Sequence, residues 1–137
     1  MAIVVDTGVF VAGVDSSETE HVPCGRVLEN HAGELIVPAP VVPETSWMIE
    51  SRLGPAAEAA FLRLVTDEEI RIIDMDKPLY RRCIELVETY ADLRLGFVDA
   101  SIVAVAERER VTTIATLNRR DFSVVRPNHC PAFELIP

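Results

Sequence analysis

Acidic and amide side chains follow or interrupt apolar segments at four separate places in this sequence. Asp6 ends IVVD, Glu44 lies in VVPETS, Asp99 lies in GFVDAS, and Asn118 and Asp121 lie in TLNRRD. Because each apolar segment is predicted as a buried strand or helix, folding is expected to bring these side chains to one edge of a small α/β core. Carboxylate oxygens suit Mg²⁺ and Mn²⁺, so the pattern predicts a divalent metal site.

A divalent cation at such a site lowers the pKa of bound water and neutralises charge on a phosphoryl oxygen, which predicts phosphodiester hydrolysis. Asp99 is the strongest single indication, because apolar residues flank it and a lone buried acid is costly without a compensating charge. Taken alone, Asp6 is better explained as a helix cap. Glu44 and Asp121 are equally explained as ordinary acids of a first helical turn or loop.

The composition indicates one folded domain covering residues 1–137, with 49% hydrophobic residues and no internal repeat. The most apolar segment, Leu35 to Val42, contains two prolines and is far shorter than the roughly 20 residues of a membrane span. No basic region precedes the apolar residues of the N-terminus, so no signal peptide is expected. The protein is therefore predicted to be cytoplasmic.

The formal net charge of −9 excludes general attraction to nucleic acid. An RNA substrate would need a local basic patch, and Arg119, Arg120 and Arg126 supply a candidate beside Asn118 and Asp121. Arginine suits bidentate contacts to phosphate. The alternative interpretation of these arginines is an ordinary solvated loop, and an acidic protein also invites a basic partner.

Several other chemistries lack the residues that they need. Cys24, Cys83 and Cys130 are widely separated, and the spacing of His21 and Cys24 has no second pair to complete a zinc site. No GxxxxGK phosphate-binding loop is present. An aspartyl phosphohydrolase would need a second acid where Gly8 stands.

Strand-like and helix-like apolar segments alternate along the chain, which predicts an α/β fold with a mainly parallel sheet of four or five strands flanked by helices. The predicted strands are Ile3 to Val5, Leu35 to Val37, Ile70 to Ile73, Thr113 to Ala115 and an edge strand from Phe133 to Ile136. Predicted helices follow Asp6, cover about residues 20–31 and 40–53, start at Pro55, follow Asp76 as N-cap, and cover Val98 to Arg108.

Two of these helices have apolar spacings that predict a buried face. The first set is Ala57, Ala60, Phe61, Leu64 and Val65. The second set is Tyr80, Cys83, Ile84, Val87 and Tyr90.

The sequence resembles the PIN-domain ribonucleases and, within them, the VapC toxins of bacterial toxin–antitoxin pairs. The resemblance rests on VVDTGV, PVVPE, YADLRLGFVDA and TIATLNRRDFSVVRP, which occur in this order over nearly the whole length. It implies a single PIN domain and an endoribonuclease that depends on Mg²⁺ or Mn²⁺. It also implies a homodimer and inhibition by a small antitoxin whose tail covers the site.

Carried over by position, Asp6, Glu44 and Asp99 take the roles of metal-binding acids. Thr116 and Asn118 match the final polar group near the metal. Many members have aspartate where Asn118 stands, and asparagine offers a neutral oxygen in place of a charge.

Two further acids lie within the matched motifs. Asp121 is a candidate to supply the charge that is missing at the asparagine. Asp92 falls on a commonly acidic position, with a helix-end role as the alternative to a supporting role.

The resulting hypothesis is in-line attack of water on an RNA phosphodiester, with Arg119 or Arg120 holding a flanking phosphate. The substrate is expected to be a tRNA or a structured loop of ribosomal RNA. The competing hypothesis is a PIN scaffold that binds RNA or protein without cutting. Trp47 and Phe61 are candidate anchors of a dimer interface, with burial in the core as the alternative.

Overall fold

A computed structural model describes residues 1–137 and contains a five-stranded sheet surrounded by helices. The elements in chain order are β1 (Ile3–Val5), α1 (Thr7–Val14), α2 (His21–Asn30), β2 (Leu35–Pro38), α3 (Val41–Leu53), α4 (Pro55–Val65), β3 (Ile70–Ile73), α5 (Lys77–Thr89), α6 (Phe97–Glu109), β4 (Thr113–Ala115), α7 (Arg119–Val124) and β5 (Glu134–Ile136). The predicted α/β fold is confirmed.

β1 is the central strand of the sheet, whose order is β3-β2-β1-β4-β5 and whose neighbouring strands are all parallel. Val4 pairs with Ile36 on one side and with Ile114 on the other. Residues Ile3 to Val5 are fully buried, because helices cover both faces of a parallel sheet. The strand order reverses at β1, and open α/β sheets bind ligands outside the carboxyl ends of the strands at such a point.

α6 is buried along most of its length, which its nearly continuous apolar sequence predicts. Every residue from Ala100 to Ala106 is buried. The helix packs against α5 and against β1 and β2 of the sheet. Asp99 lies immediately before this buried segment and is only partly exposed. The helix therefore fixes an acid close to the central strands.

α3 and α4 meet at Gly54, which has a φ of 85°. This positive φ favours glycine, because a side chain there would be strained. Pro55 follows as the first residue of α4, where a missing N–H group costs no hydrogen bond. The Gly-Pro pair therefore ends one helix and begins the next without a loop between them.

The buried face predicted for α5 is wrong for most of its residues. Cys83 is buried as predicted and Tyr90 packs against the core, but the other buried residues are Leu79 and Leu86. The residues that the prediction placed in the core and that are exposed are Tyr80, Ile84 and Val87. Two apolar stripes with the same helical spacing lie side by side on α5, and only one of them can face the core.

The buried face predicted for α4 is correct at its centre. Phe61 is 2% exposed and packs edge-to-face on Phe10, with ring centroids 5.4 Å apart. The residues packed at the border of the core are Ala57, Leu64 and Val65. Ala60 is exposed, contrary to the prediction. The burial of Phe61 makes its predicted role as an interface anchor wrong.

Helix ends account for one confirmed prediction and one omission. Asp76 caps α5 by accepting a hydrogen bond from the backbone N–H of Leu79 at 3.0 Å, as predicted. α7 was not predicted, because its segment was interpreted as a solvated loop; it begins at a cap formed by Asn118. None of the helices combines the length and apolar character that crossing a membrane requires.

Candidate active site

Asp6 lies directly after β1 and is 8% exposed. Its Oδ1 accepts a hydrogen bond from the backbone N–H of Thr7 at 2.7 Å, and its Oδ2 accepts one from the Thr116 hydroxyl at 2.8 Å. Burial raises the pKa of the Asp6 carboxyl above its ordinary value, against the lowering effect of these hydrogen bonds. The site therefore holds a desolvated carboxylate in a fixed orientation at the carboxyl end of the central strand.

Asp99, in the first turn of α6, is electrostatically coupled to the other acids. Burial is the largest cause that raises the pKa of Asp99 to about 7. The next causes are the negative charges of Asp6, Glu44 and Asp121, whereas a hydrogen bond with Asn118 lowers the pKa. Acids on four separate elements are thus close enough to repel one another.

Glu44 lies in the first turn of α3, where the helix dipole favours an acid. It lines a cavity of about 310 Å³ together with Asp99 and with Gly96, Phe97 and Val98 at the start of α6. The neighbouring Thr45 is fully buried, and its hydroxyl donates to that of Thr7 at 3.3 Å. This contact joins the start of α3 to the start of α1, so Glu44 is held near the acid that precedes Thr7.

Asn118 and Asp121 bond each other at the start of α7. The amide nitrogen of Asn118 donates to Oδ2 of Asp121 at 3.0 Å, and the backbone N–H of Asp121 lies 3.4 Å from Oδ1 of Asn118. The hydrogen bond from Asn118 is the largest cause that lowers the pKa of Asp121, and Arg120 contributes. The reciprocal bonds resemble a capping box and fix the asparagine side chain.

Thr116 links the two halves of the cluster. Its fully buried hydroxyl donates to Asp6 and accepts the backbone N–H of Asn118 at 3.0 Å. Hydrogen bonds and mutual electrostatic repulsion place Asp6, Glu44, Asp99, Asn118 and Asp121 in one cluster. Their predicted roles in metal binding and catalysis stay predictions.

The donor chemistry of this cluster fits a hard divalent cation. All of its candidate donors are oxygens, the type that Mg²⁺ and Mn²⁺ prefer. Asp6, Glu44 and Asp99 form no ion pair with a basic side chain, and repulsion between acids raises the pKa of Asp99. As placed, no three acidic, histidine or cysteine side chains form a ready-made metal site.

The arginine candidates lie at the edge of the cluster. Arg120 donates to Oδ1 of Asp121 at 3.0 Å, and its side chain is 82% exposed. Arg119 instead donates to the backbone carbonyls of Leu135, at 3.3 Å, and Pro137. As placed, only Arg120 contacts a member of the acidic cluster.

Two other features of the sequence lie apart from the cluster. Asp92 is exposed in the turn between α5 and α6, and no hydrogen bond or ion pair joins it to the cluster. His21 contacts the carbonyl oxygen of Ala12 through Nδ1 at 2.8 Å, and Cys24 is buried in the core.

Sequence reasoning missed the supporting contact of Thr45 and the position of Phe97 on the cavity wall. Phe97 is the first residue of α6, after Gly96. The sequence does not predict in which direction a side chain at that position points. Thr7 and Thr45 are 38 residues apart, and no sequence pattern predicts the hydrogen bond between their hydroxyls.

This combination of fold and sequence is shared with a known family. The PIN domain family model matches residues 3–126, and the chain belongs to that family. It is similar to Ribonuclease VapC26 of Mycobacterium tuberculosis, with 32% identity over 135 residues that span 98% of this chain and 100% of that protein.

Solved structures show the same fold at lower identity. VapC20 of Mycobacterium tuberculosis, described as a Sarcin-Ricin loop cleaving toxin, has a TM-score of 0.77 and 20% identity, covering 82% of this chain and 87% of its own. VapBC2 from Rickettsia felis, bound to a DNA fragment from its promoter, has a TM-score of 0.68 and 18% identity, covering 98% of this chain and 97% of its own. A toxin–antitoxin complex from Klebsiella pneumoniae has a TM-score of 0.70 and 19% identity, covering 90% and 92%.

Proposed function

We propose that this protein is an endoribonuclease toxin that cuts RNA phosphodiester bonds and depends on Mg²⁺ or Mn²⁺. The observation that carries the proposal is that Asp6, Glu44 and Asp99 gather at the carboxyl end of the central strand without any basic partner. A cation would offset the mutual repulsion of such uncompensated acids when they are ionised. The similarity to Ribonuclease VapC26 supports RNA as the substrate.

In this proposal the carboxylates of Asp6 and Asp99 would hold the cation, and Glu44 would be a further ligand or would orient water. A bound cation would supply charge neutralisation at the phosphate and activation of water. Asn118 and Asp121 lie around the candidate ligands. Groups in such positions fix the orientation of the side chains that bind a metal. The buried Thr116 hydroxyl, which donates to Oδ2 of Asp6, fixes the orientation of the Asp6 carboxylate.

Arg120 is the better candidate of the two neighbouring arginines for contact with a flanking phosphate. Its side chain is 82% exposed, and its single ion pair with Asp121 is available for exchange. Arg119 would first have to leave the carbonyls of Leu135 and Pro137. We therefore expect Arg120→Ala to weaken RNA binding more than Arg119→Ala.

Cleavage of total RNA by the purified protein tests the proposal. The expected result is a set of discrete cuts that require Mg²⁺ or Mn²⁺ and disappear with Asp99→Asn. A tRNA and a structured loop of ribosomal RNA are both candidate substrates, because both offer unpaired bases. Mapping the cut sites shows which of the two is cut. The exposed Asp92→Asn is the matched control and should cut like the parent protein.

The absence of a ready-made group of three metal-binding side chains favours a second candidate function, a scaffold that binds RNA or protein without cutting. The neutral amide of Asn118 also favours this function, because it adds no negative charge to hold a cation. Metal affinity separates the two functions. A folded, antitoxin-free protein that neither binds Mn²⁺ in calorimetry nor cuts RNA would be the binding scaffold.

We also propose a small antitoxin as partner and a homodimer as the assembly. The formal charge of −9 and the uncompensated acids favour an antitoxin segment that is rich in arginine or lysine. Trp47, which is 69% exposed on the helix that carries Glu44, remains a candidate contact. Suppression of cleavage by the co-expressed antitoxin and sedimentation of the purified chain test these two proposals.

A further inference from the structure

Two exposed aromatic rings stack on each other beside the candidate active site. Tyr80 of α5 and Phe97 of α6 have ring centroids 5.6 Å apart and ring planes only 3° from parallel. Their exposed fractions are 48% and 41%. Large aromatic side chains that remain exposed together mark an interaction site more often than isolated apolar residues do.

The aromatic pair is continuous with the cavity at the acids. Phe97 lines the cavity that contains Glu44 and Asp99, and together with Tyr80 it lines an adjoining groove of about 590 Å³. The cavity and groove share Glu44, Phe97 and Val98. A volume of this size is within the roughly 300–1,000 Å³ that bound small molecules occupy.

We call this groove the aromatic groove; its lining includes Pro43, Glu44, Asp74, Tyr80, Phe97 and Val98. Its charged residues, Glu44 and Asp74, are both acidic, and no lysine or arginine lines it. A phosphate group placed there would be repelled. A neutral planar ring suits the groove better, because it can stack on an aromatic face and donate N–H groups to carboxylates.

We propose that Tyr80 and Phe97 form a stacking platform for an unpaired RNA base next to the bond that is cut. This inference rests on the proposed nuclease function and adds a position at which the substrate is held. The phosphate would lie at the acids with their cation, and the attached base would enter the aromatic groove. The platform selects single-stranded RNA, since a base within a duplex has no free face to offer.

Binding of a short single-stranded RNA that carries 2-aminopurine tests the platform without relying on cleavage. The protein carries Asp99→Asn in all samples so that the RNA stays intact in Mg²⁺. We expect quenching of the 2-aminopurine fluorescence at one position. Adding Phe97→Leu or Tyr80→Leu should weaken binding about 5- to 100-fold, which is the effect of losing one base–aromatic stack, and should abolish the quenching.

Two matched variants on α5 serve as controls. Tyr80→Phe keeps the ring and should bind like the background protein. Ile84→Ala removes apolar surface one turn along, at a position that is 56% exposed, and should also leave RNA affinity unchanged. Tyr80 and Phe97 lie on different helices, so the two leucine variants test the platform independently. An unfolding midpoint near that of the background protein shows that each variant is folded.

Two results would overturn the inference. One is RNA affinity and fluorescence that stay the same in folded Phe97→Leu and Tyr80→Leu. The other is dissociation of an oligomer by these variants and by Ile84→Ala, with affinity per protomer unchanged, which would assign the rings to a contact between copies. Failure of the nuclease proposal is separate, because it is measured as absence of cuts by the unmutated chain.

Discussion

Asp99 is held in an environment that opposes its charge. Its pKa of about 7 in the folded chain lies above the ordinary value of 3.8. The folded state therefore binds the Asp99 proton more tightly than the unfolded state does. As the pH rises from about 4 to about 7, the unfolded chain loses this proton while the folded chain keeps it, so stability falls; above pH 7 the whole cost is present.

Asp99→Asn should therefore stabilise the metal-free protein at high pH. The shift corresponds to roughly 4 kcal/mol without screening, and for a partly exposed group we expect about 1–2 kcal/mol. Thermal unfolding in EDTA should show a midpoint higher by about 3–8 °C at pH 8, and a smaller difference at pH 5. Asp92→Asn, on an exposed turn, should leave the midpoint unchanged. A lower midpoint for Asp99→Asn at pH 8 contradicts the explanation.

The hydroxyl of Thr116 serves two partners, so its removal should affect both stability and cleavage. Thr116→Val keeps the shape but leaves the Asp6 carboxylate and the Asn118 N–H without their bonds. We expect a loss of about 1–3 kcal/mol in urea unfolding, together with slower RNA cleavage. Thr116→Ser keeps the hydroxyl and should retain most of both. Equal behaviour of the two variants would show that the hydroxyl has no such role.

The elements that could be predicted from sequence are those whose residues allow only one position in the fold. The segment Ile3 to Val5 is too short and too apolar to be anything but a buried strand, and the nearly all-apolar stretch of α6 from Ala100 to Ala106 offers no polar face. The carboxyl ends of parallel strands lie at one edge, so the meeting of Asp6 with Asn118 followed from the predicted sheet.

The orientation of α5 was not predictable in the same way. Leu79, Cys83 and Leu86 have the same spacing as Tyr80, Ile84 and Val87, and the contact with α6 decides between them. The periodicity gives a helix with apolar surface but not the rotation of that helix about its axis. α7 was missed for another reason, because its cap depends on a side-chain bond between Asn118 and Asp121 that charge alone does not reveal.

A pair of substitutions on α5 checks its rotation directly. Leu86 is 2% exposed and Val87 is 38% exposed. Leu86→Ala should cost about 2–4 kcal/mol because it leaves a cavity, whereas Val87→Ala should cost less than about 1 kcal/mol. Urea unfolding measures both free energies. A larger loss for Val87→Ala would mean that the helix faces the core with its other stripe.

At the scale of the whole molecule, the proposed binding of a metal ion should compete with proton binding. Mg²⁺ should stabilise the folded chain, because a ligand of the native state alone raises its unfolding midpoint. The rise should be larger at pH 8 than at pH 6, since a cation must displace the Asp99 proton below its pKa of about 7. Thermal unfolding in millimolar Mg²⁺ and in EDTA measures this difference. The same rise in Asp99→Asn would place the cation elsewhere.

The bond between the hydroxyl of Thr116 and Oδ2 of Asp6 spans 110 positions of the chain. During translation, Asp6, Glu44 and Asp99 leave the ribosome well before β4 and its following turn. A nascent chain therefore contains the acids but not the hydroxyl that orients the first of them. Assembly of the cluster therefore waits until Thr116 has left the ribosome, which delays the proposed activity on RNA until β4 has been synthesised.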